Sequence, residues 1–416
     1  MASFIAMTTS KNYQPLSFEE YNEKVKNLRT ADDATAFLKD LIAPVLQSML
    51  EAELTDHLGY DKHDPRGRKS GNNRNGHSTK TMRTDFGPAP IEIPRDRNGT
   101  FEPRVVPKYE TVQPGVEEKV IAMYAKGMTT RDINEYLFDI YGIDVSASMV
   151  STITDKVLPL VREWQTRPLA ALYPILYLDG VHFKVRQDGR IITKCAYIIL
   201  GINASGSKEI LGIWVGEEEG AKFWMKTLDE IKQRGVQDIL IACTDGLSGF
   251  DEAIRAIFPE ARIQQCIVHQ VRNTLKFIPH KNKKAMAKAL KKIYTAPTEK
   301  DGLLAFDEAK TAFPEYAIYL KSWETKWPLL SLFFEYPMEI RRIIYTTNAI
   351  EGLNRQFRKV TKTTSIFPHD EALTKLLFLA ARDIAKKWTV SIYNWGTIVA
   401  ELAAFFPEKA SLLIDA

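Results

Sequence analysis

From Pro168 onward the chain alternates short, almost wholly apolar runs with stretches of helical length, and this alternation most narrows the folds open to it. Ile175-Leu176-Tyr177-Leu178 reads as a buried strand, Cys195 to Ile202 as a second and Ile210 to Val215 as a third. Brief apolar runs bounded by turn residues suit strands covered on both faces. A helix over Ala221 to Arg234, the strand Ile239 to Cys243, a helix over Phe250 to Phe258 and a strand at Ala261 to Gln265 follow. Strands alternating with helices predict an α/β domain.

The order matches a ribonuclease H-like fold, in which the first and fourth strands lie side by side. Asp179 follows the first apolar strand and precedes Gly180; Asp245 repeats the arrangement between Thr244 and Gly246. Each acid is therefore expected to emerge at the sheet edge, and the strand order brings the two together. A single Asp-Gly after a strand is commonly just a turn signal; two at matching positions suggest more. Close carboxylates repel unless a cation lies between them. Magnesium suits such a pair because it prefers carboxylate and water oxygens and leaves positions open for a substrate phosphate.

At 416 residues the chain exceeds one ordinary domain. The expected divisions are an N-terminal helical region (1–58), a basic module (59–110), a helix-turn-helix-like region (111–168), the first part of the α/β core (169–268), a helical insertion (269–340) and returning C-terminal helices (341–416). Phe37, Leu38, Leu41, Ile42, Val45, Leu46, Met49 and Leu50 recur at helical spacing within Ala34 to Leu54, which predicts a helix used for packing or self-association. Gly59 to Tyr109 is rich in Gly, Pro, Asn and Arg, with strand-like pieces at Thr79–Met82 and Pro90–Ile93. Val116–Tyr124, Thr129–Tyr141 and Ser146–Val157 read as three short helices, with Ser146 or Ser148 capping the third. Ile343 to Arg358 begins a long helix, and Asp370 to Lys387 forms another.

No apolar run reaches the roughly 18 residues that span a bilayer. Met1 to Ser10 lacks a basic region ahead of an apolar core, so no secretory signal is expected, and a cytoplasmic, nucleoid-associated protein is. Cys195, Cys243 and Cys266 are widely spaced in or beside apolar runs, the setting of buried free thiols.

The net charge is only +4, but it is unevenly distributed. Between Gln270 and Lys300, Arg272, Lys276, Lys281, Lys283, Lys284, Lys288, Lys291, Lys292 and Lys300 face Glu299 alone. Arg341, Arg342, Arg355, Arg358, Lys359 and Lys362 form a second cluster. Arg66, Arg68, Lys69, Arg74, Lys80, Arg95 and Arg97 form a third. Each alone is explained equally well as a solvated face; three around one candidate site favour a nucleic-acid partner, whose phosphates such patches neutralise.

Glu351 is a third candidate acid, with Arg355, Arg358 and Lys362 on or near its helical face. It is equally explained as the capping-box partner of Asn348, and Glu324, Glu335 and Glu339 are also available. Cys266 and His269 have half of a zinc-ligand spacing, with His280 the other nearby candidate. Trp323 and Trp327 either stack on a displaced base or pack in the core. His182 is placed either at the scissile phosphate or as a structural strand residue.

The chain resembles the Mutator-type family of bacterial insertion-sequence transposases over nearly its whole length. The motifs are Arg74-Asn75-Gly76, Pro94-Arg95-Asp96-Arg97, Met123-Tyr124-Ala125-Lys126-Gly127-Met128, Leu178-Asp179-Gly180, the run from Asp245 through Gly249 to Cys266-Ile267-Val268-His269, and Thr346 to Arg358. The resemblance implies a ribonuclease H-like core with an Asp-Asp-Glu triad, matching Asp179, Asp245 and Glu351, interrupted by a helical insertion. It also makes Cys266 and His269 a characteristic pair near the active site, with an architectural or DNA-positioning role. The activity implied is cleavage of element ends and transfer of the 3′-hydroxyl to target DNA with two Mg2+ ions, for which Mn2+ substitutes, and no nucleotide cofactor. Partners would be double-stranded DNA, as terminal inverted repeats and target, and at least a second copy of the chain. The alternative is a catalytically silent, transposase-derived DNA-binding regulator.

Overall fold

The computed structural model describes residues 17–108, 110–217, 220–246, 249–345 and 348–414. Met1 to Ser10, Thr346, Thr347 and the side chains of Arg68 and Lys69 lie outside the described residues. The described residues form two compact units, one from 17–124 with 128–154, the other from 125–127 with 155–414.

The first unit opens with helices α1 (Phe18–Asn27) and α2 (Ala31–Leu58). Thr30 and Asp33 form a capping box at the start of α2, and Gly59 ends it in the left-handed region at φ 75°, where glycine carries no Cβ penalty. The two strand-like pieces are an antiparallel hairpin, β1 (Arg74–Thr84) and β2 (Gly87–Asp96). Ala43 and Leu50 of α2 pack on Met82, Ala89 and Ile91 of the hairpin and on Val106, whereas Leu38, Val45 and Met49 of the same helix are exposed. Helices α3 (Pro114–Ala125), α4 (Thr130–Tyr141) and α5 (Ala147–Asp155) follow. Val116, Val120, Ile133, Leu137, Val150 and Ile153 give them a core. Ser146 rather than Ser148 caps α5, its hydroxyl accepting from Met149 N at 3.2 Å.

The second unit begins with α6 (Leu158–Thr166) and five strands with two helices between them: β3 (Leu172–Gln187), β4 (Arg190–Ile202), β5 (Lys208–Gly216), α7 (Ala221–Gln233), β6 (Asp238–Thr244), α8 (Phe250–Ile257) and β7 (Arg262–Gln265). The sheet order is β5-β4-β3-β6-β7. β4 is antiparallel to β3 and β5, whereas β6 runs parallel to β3 and β7. Leu176, Leu178, Tyr197, Ile199 and Leu211 pack against Trp224, Leu228 and Ile231 of α7 and Phe250 and Ile254 of α8.

Helices α9 (Ile267–Lys276), α10 (His280–Tyr294), α11 (Glu299–Ala312), α12 (Ala317–Leu330), α13 (Met338–Ile344), α14 (Asn348–Thr361), α15 (Asp370–Ala385), α16 (Trp395–Phe405) and α17 (Ala410–Ile414) complete the unit. The single helix expected from Ile343 is two, α13 ending at Ile344 and α14 starting at Asn348, and carbonyls at the end of α13 accept from other elements. Tyr177 Oη donates to Ile343 O at 2.7 Å, Cys243 Sγ to Ile344 O at 3.6 Å and Ile267 N to Tyr345 O at 3.3 Å. Among the described residues no helix is long and apolar enough to cross a membrane.

Candidate active site

The parallel ladder between β3 and β6 ends at the pair Leu178 and Thr244. Asp179 and Asp245 are the next residues on each chain, so neighbouring parallel strands deliver both acids to the same end of the sheet, as their spacing predicts. Asp179 nevertheless does not emerge at a strand end. β3 loses β6 there but keeps its ladder with β4 to Gln187, and Asp179, inside the strand and bonded by Asn354 of α14, is only 6% exposed. Gly180 is required by close approach: a Cβ there would lie 2.6 Å from Cys195 Sγ.

Asp179 Oδ1 accepts from Gly180 N at 2.8 Å and Oδ2 from Asn354 Nδ2 at 2.6 Å. Burial, then the charge of Asp245 and more weakly that of Glu351, pushes its carboxyl up to about 7, against the Gly180 hydrogen bond and Arg358. Asp245 and Glu351 thus both act electrostatically on Asp179. Nearby, Thr244 Oγ1, His269 Nδ1 and Asn354 Oδ1 are buried without hydrogen-bond partners, a pattern that calls for an explanation in a folded protein.

Glu351 lies in the first turn of α14. Arg272 of α9 grips it bidentately, with Nη1 to Oε1 at 2.7 Å and Nη2 to Oε2 at 2.9 Å, and His269 Nε2 stands 3.7 Å from Oε1. Asn348 is the first residue of α14 rather than the one before it. The rival acids are engaged elsewhere, Glu324 with Lys310, Glu335 with Arg262 and Glu339 with Arg342. Cys266 Sγ accepts from His269 N at 3.5 Å at the start of α9. Cys266, His269 and Glu351 bring ligand atoms within 4.8 Å of one another; among the described residues Asp179, Asp245 and Glu351 are not gathered so closely. His269 is held below the ordinary imidazole range by burial, with Glu351 opposing.

Residues 16–391 match the family described as Transposase, Mutator family. The chain belongs to that family. It is 42% identical over 374 residues to the transposase for insertion sequence element ISRM3 of Rhizobium meliloti, covering 89% of this chain and 93% of that one. It is 32% identical over 386 residues to the transposase for IS905 of Lactococcus lactis, covering 92% and 98%, and 28% over 389 residues to that for IS256 in transposon Tn4001 of Staphylococcus aureus, covering 92% and 96%.

In this member of the Mutator family the expected DNA contacts divide by exposure. Arg95, Arg97, Lys276, Lys283, Lys284, Arg355, Arg358 and Lys362 are exposed; Arg66 is exposed and paired with Asp64. Arg74 is not a free surface cation: its guanidinium donates to Glu51 at 2.8 Å and Thr55 at 2.6 Å, leaving the side chain 18% exposed. Trp323 offers no face to a base. It is fully buried, near-parallel to Phe306, and its Nε1 donates to Thr274 Oγ1 at 2.9 Å. Trp327 Nε1 donates to Glu299 at 2.8 Å. His182 shares the strand face of Gly180, opposite that of Asp179, so it does not join the acids. Sequence reasoning missed Asn354, although its position three after Glu351 places both on one helix face.

Proposed function

We propose that this protein is a DNA transposase that cuts the ends of its insertion sequence at a site formed by Asp179, Asp245 and Glu351 and joins the 3′-hydroxyl to target DNA. The observation that carries the reading is the register of β3 and β6, which ends both strands' ladder one residue before Asp179 and Asp245, while α14 reaches Asp179 through Asn354. The strand order β5-β4-β3-β6-β7 is the one expected of a ribonuclease H-like core, and the family consists of transposases.

The residues fit a hard divalent cation. The donors are carboxylate oxygens, Asp179 is pressed toward neutrality by burial and by its acidic neighbours, and a cation would relieve that repulsion. Held by Asp179, Asp245 and Glu351, two Mg2+ ions, or Mn2+ in their place, would stabilise the attacking and leaving oxygens of an in-line displacement at phosphorus. Asn354 fixes the orientation of Asp179 through its 2.6 Å hydrogen bond. The exposed Arg355, Arg358 and Lys362 of the Glu351 helix and its following turn neutralise DNA phosphates. The three helices around Val116 and Ile133 and the basic hairpin would read the terminal inverted repeats. Joining two ends in concert calls for at least two copies of the chain.

The test is cleavage and strand transfer on a labelled duplex carrying the element end with Mg2+. Several kcal/mol of transition-state stabilisation are at stake, so Asp179→Asn, Asp245→Asn and Glu351→Gln should each lower cleavage by about a thousandfold or more. Wild-type cleavage in all three variants overturns the assignment; binding of the ends without cleavage by the unaltered protein identifies a regulator instead.

A further inference from the structure

We infer that Arg272 is a phosphate-released latch on Glu351. Without DNA its guanidinium holds the carboxylate apart from Asp179 and Asp245, and a DNA phosphate that takes the guanidinium frees the carboxylate to join them. The inference rests on the role proposed above for Glu351. Both oxygens of Glu351 are taken by the two Nη atoms of Arg272, and its carboxylate groups with Cys266 and His269 rather than with the two aspartates. The pair is lopsided in exposure. The Glu351 side chain is 16% exposed and that of Arg272 53%, so a phosphate reaches the guanidinium without first displacing the carboxylate. Phosphate and carboxylate accept the same planar fork of N–H groups, which makes them direct competitors for it.

The setting favours the exchange. Lys276 lies one turn after Arg272 and is exposed, as is Arg358 on the Glu351 helix, and together they draw in a phosphodiester. A third ionised carboxylate moving toward Asp179 and Asp245 is opposed by like charge, so the latched position suits the protein without DNA. Arg272 is thus a positioning residue, acting on the site through Glu351.

The test is affinity for an end-containing duplex in EDTA, by fluorescence anisotropy across a salt series, for the unaltered protein, Glu351→Gln, Arg272→Gln and the double variant. Glu351→Gln should tighten binding about five- to tenfold by releasing the guanidinium. Arg272→Gln should weaken binding and lower the salt slope by about one phosphate contact. In the Arg272→Gln background the gain from Glu351→Gln should fall below about twofold. Arg272→Lys, which keeps the charge without the fork, should retain the salt slope but gain less than about twofold from Glu351→Gln. An equal gain with and without Arg272 means that removal of a negative charge explains everything, and the latch is refuted. An unchanged salt slope in Arg272→Gln refutes it as well. Neither result touches the proposed activity, which stands or falls on cleavage by the Asp179 and Asp245 variants.

Discussion

With divalent cations removed, Asp179→Asn should make the protein more stable at pH 8, although it deletes a residue proposed to act in catalysis. Asp179 is 6% exposed. Burial first, then Asp245 and Glu351, raises its carboxyl from 3.8 to about 7. Because the folded value lies above the unfolded one, the linked stability is fully present below pH 3.8 and is lost as the pH climbs through about 7. About three pH units at about 1.4 kcal/mol each set a ceiling of about 4 kcal/mol on that loss. Asparagine carries no charge, and Asn354, whose Oδ1 has no partner, can turn its amide to bond the new side chain. We expect Asp179→Asn to gain about 2–4 kcal/mol at pH 8, shrinking to about 1 kcal/mol at pH 4.5. On a unit of this size that is a Tm rise of about 5–10 °C, measured by thermal and urea unfolding in EDTA. Mg2+ should narrow the gap by relieving only the unaltered protein. A variant no more stable at pH 8, or equally advantaged at both pH values, would refute the reasoning that burial and neighbouring charge press Asp179 toward neutrality.

Trp323→Ala should destabilise the protein by about 3–5 kcal/mol in urea unfolding, with the affinity of the folded fraction for DNA unchanged. Asn354→Ala removes the donor that favours ionised Asp179; the Mg2+ concentration for half-maximal cleavage should rise about 10- to 100-fold. Gly180→Ala places a Cβ against Cys195 Sγ and should cost about 1–3 kcal/mol; Cys195→Ala in the same chain should recover most of it, as read from denaturation midpoints.

The alternating apolar runs made the sheet and its acids legible, because strand burial is written in local composition. Ile175 to Leu178 are fully covered, and a residue directly after such a run has little choice but to sit at the end of its neighbour's ladder. The cap of α5 was legible to within two residues: Ser146 and Ser148 were both candidates, and Ser146 takes Met149 N within one turn. The length of β3 beyond Asp179 was not, since its partners there are β4 and a single bridge to Phe367 and its sequence turns polar. Nor was the end of α13 at Ile344, where carbonyls accept from Tyr177, Cys243 and Ile267.

What the sequence by itself determined is the pair of aspartates that follow the apolar strands, the order of elements and the family. Only the tertiary structure decided how the side chains are shared out. Arg272, charged and exposed in any sequence reading, is taken by Glu351 across 79 positions of the chain. Trp323 is spent in the core, and Asn354, unremarkable in sequence, is bonded to Asp179. The physical reason is range: periodicity and capping depend on neighbours a turn apart, whereas ion pairs, buried donors and pressed carboxyls depend on which distant elements the fold brings within a few ångströms.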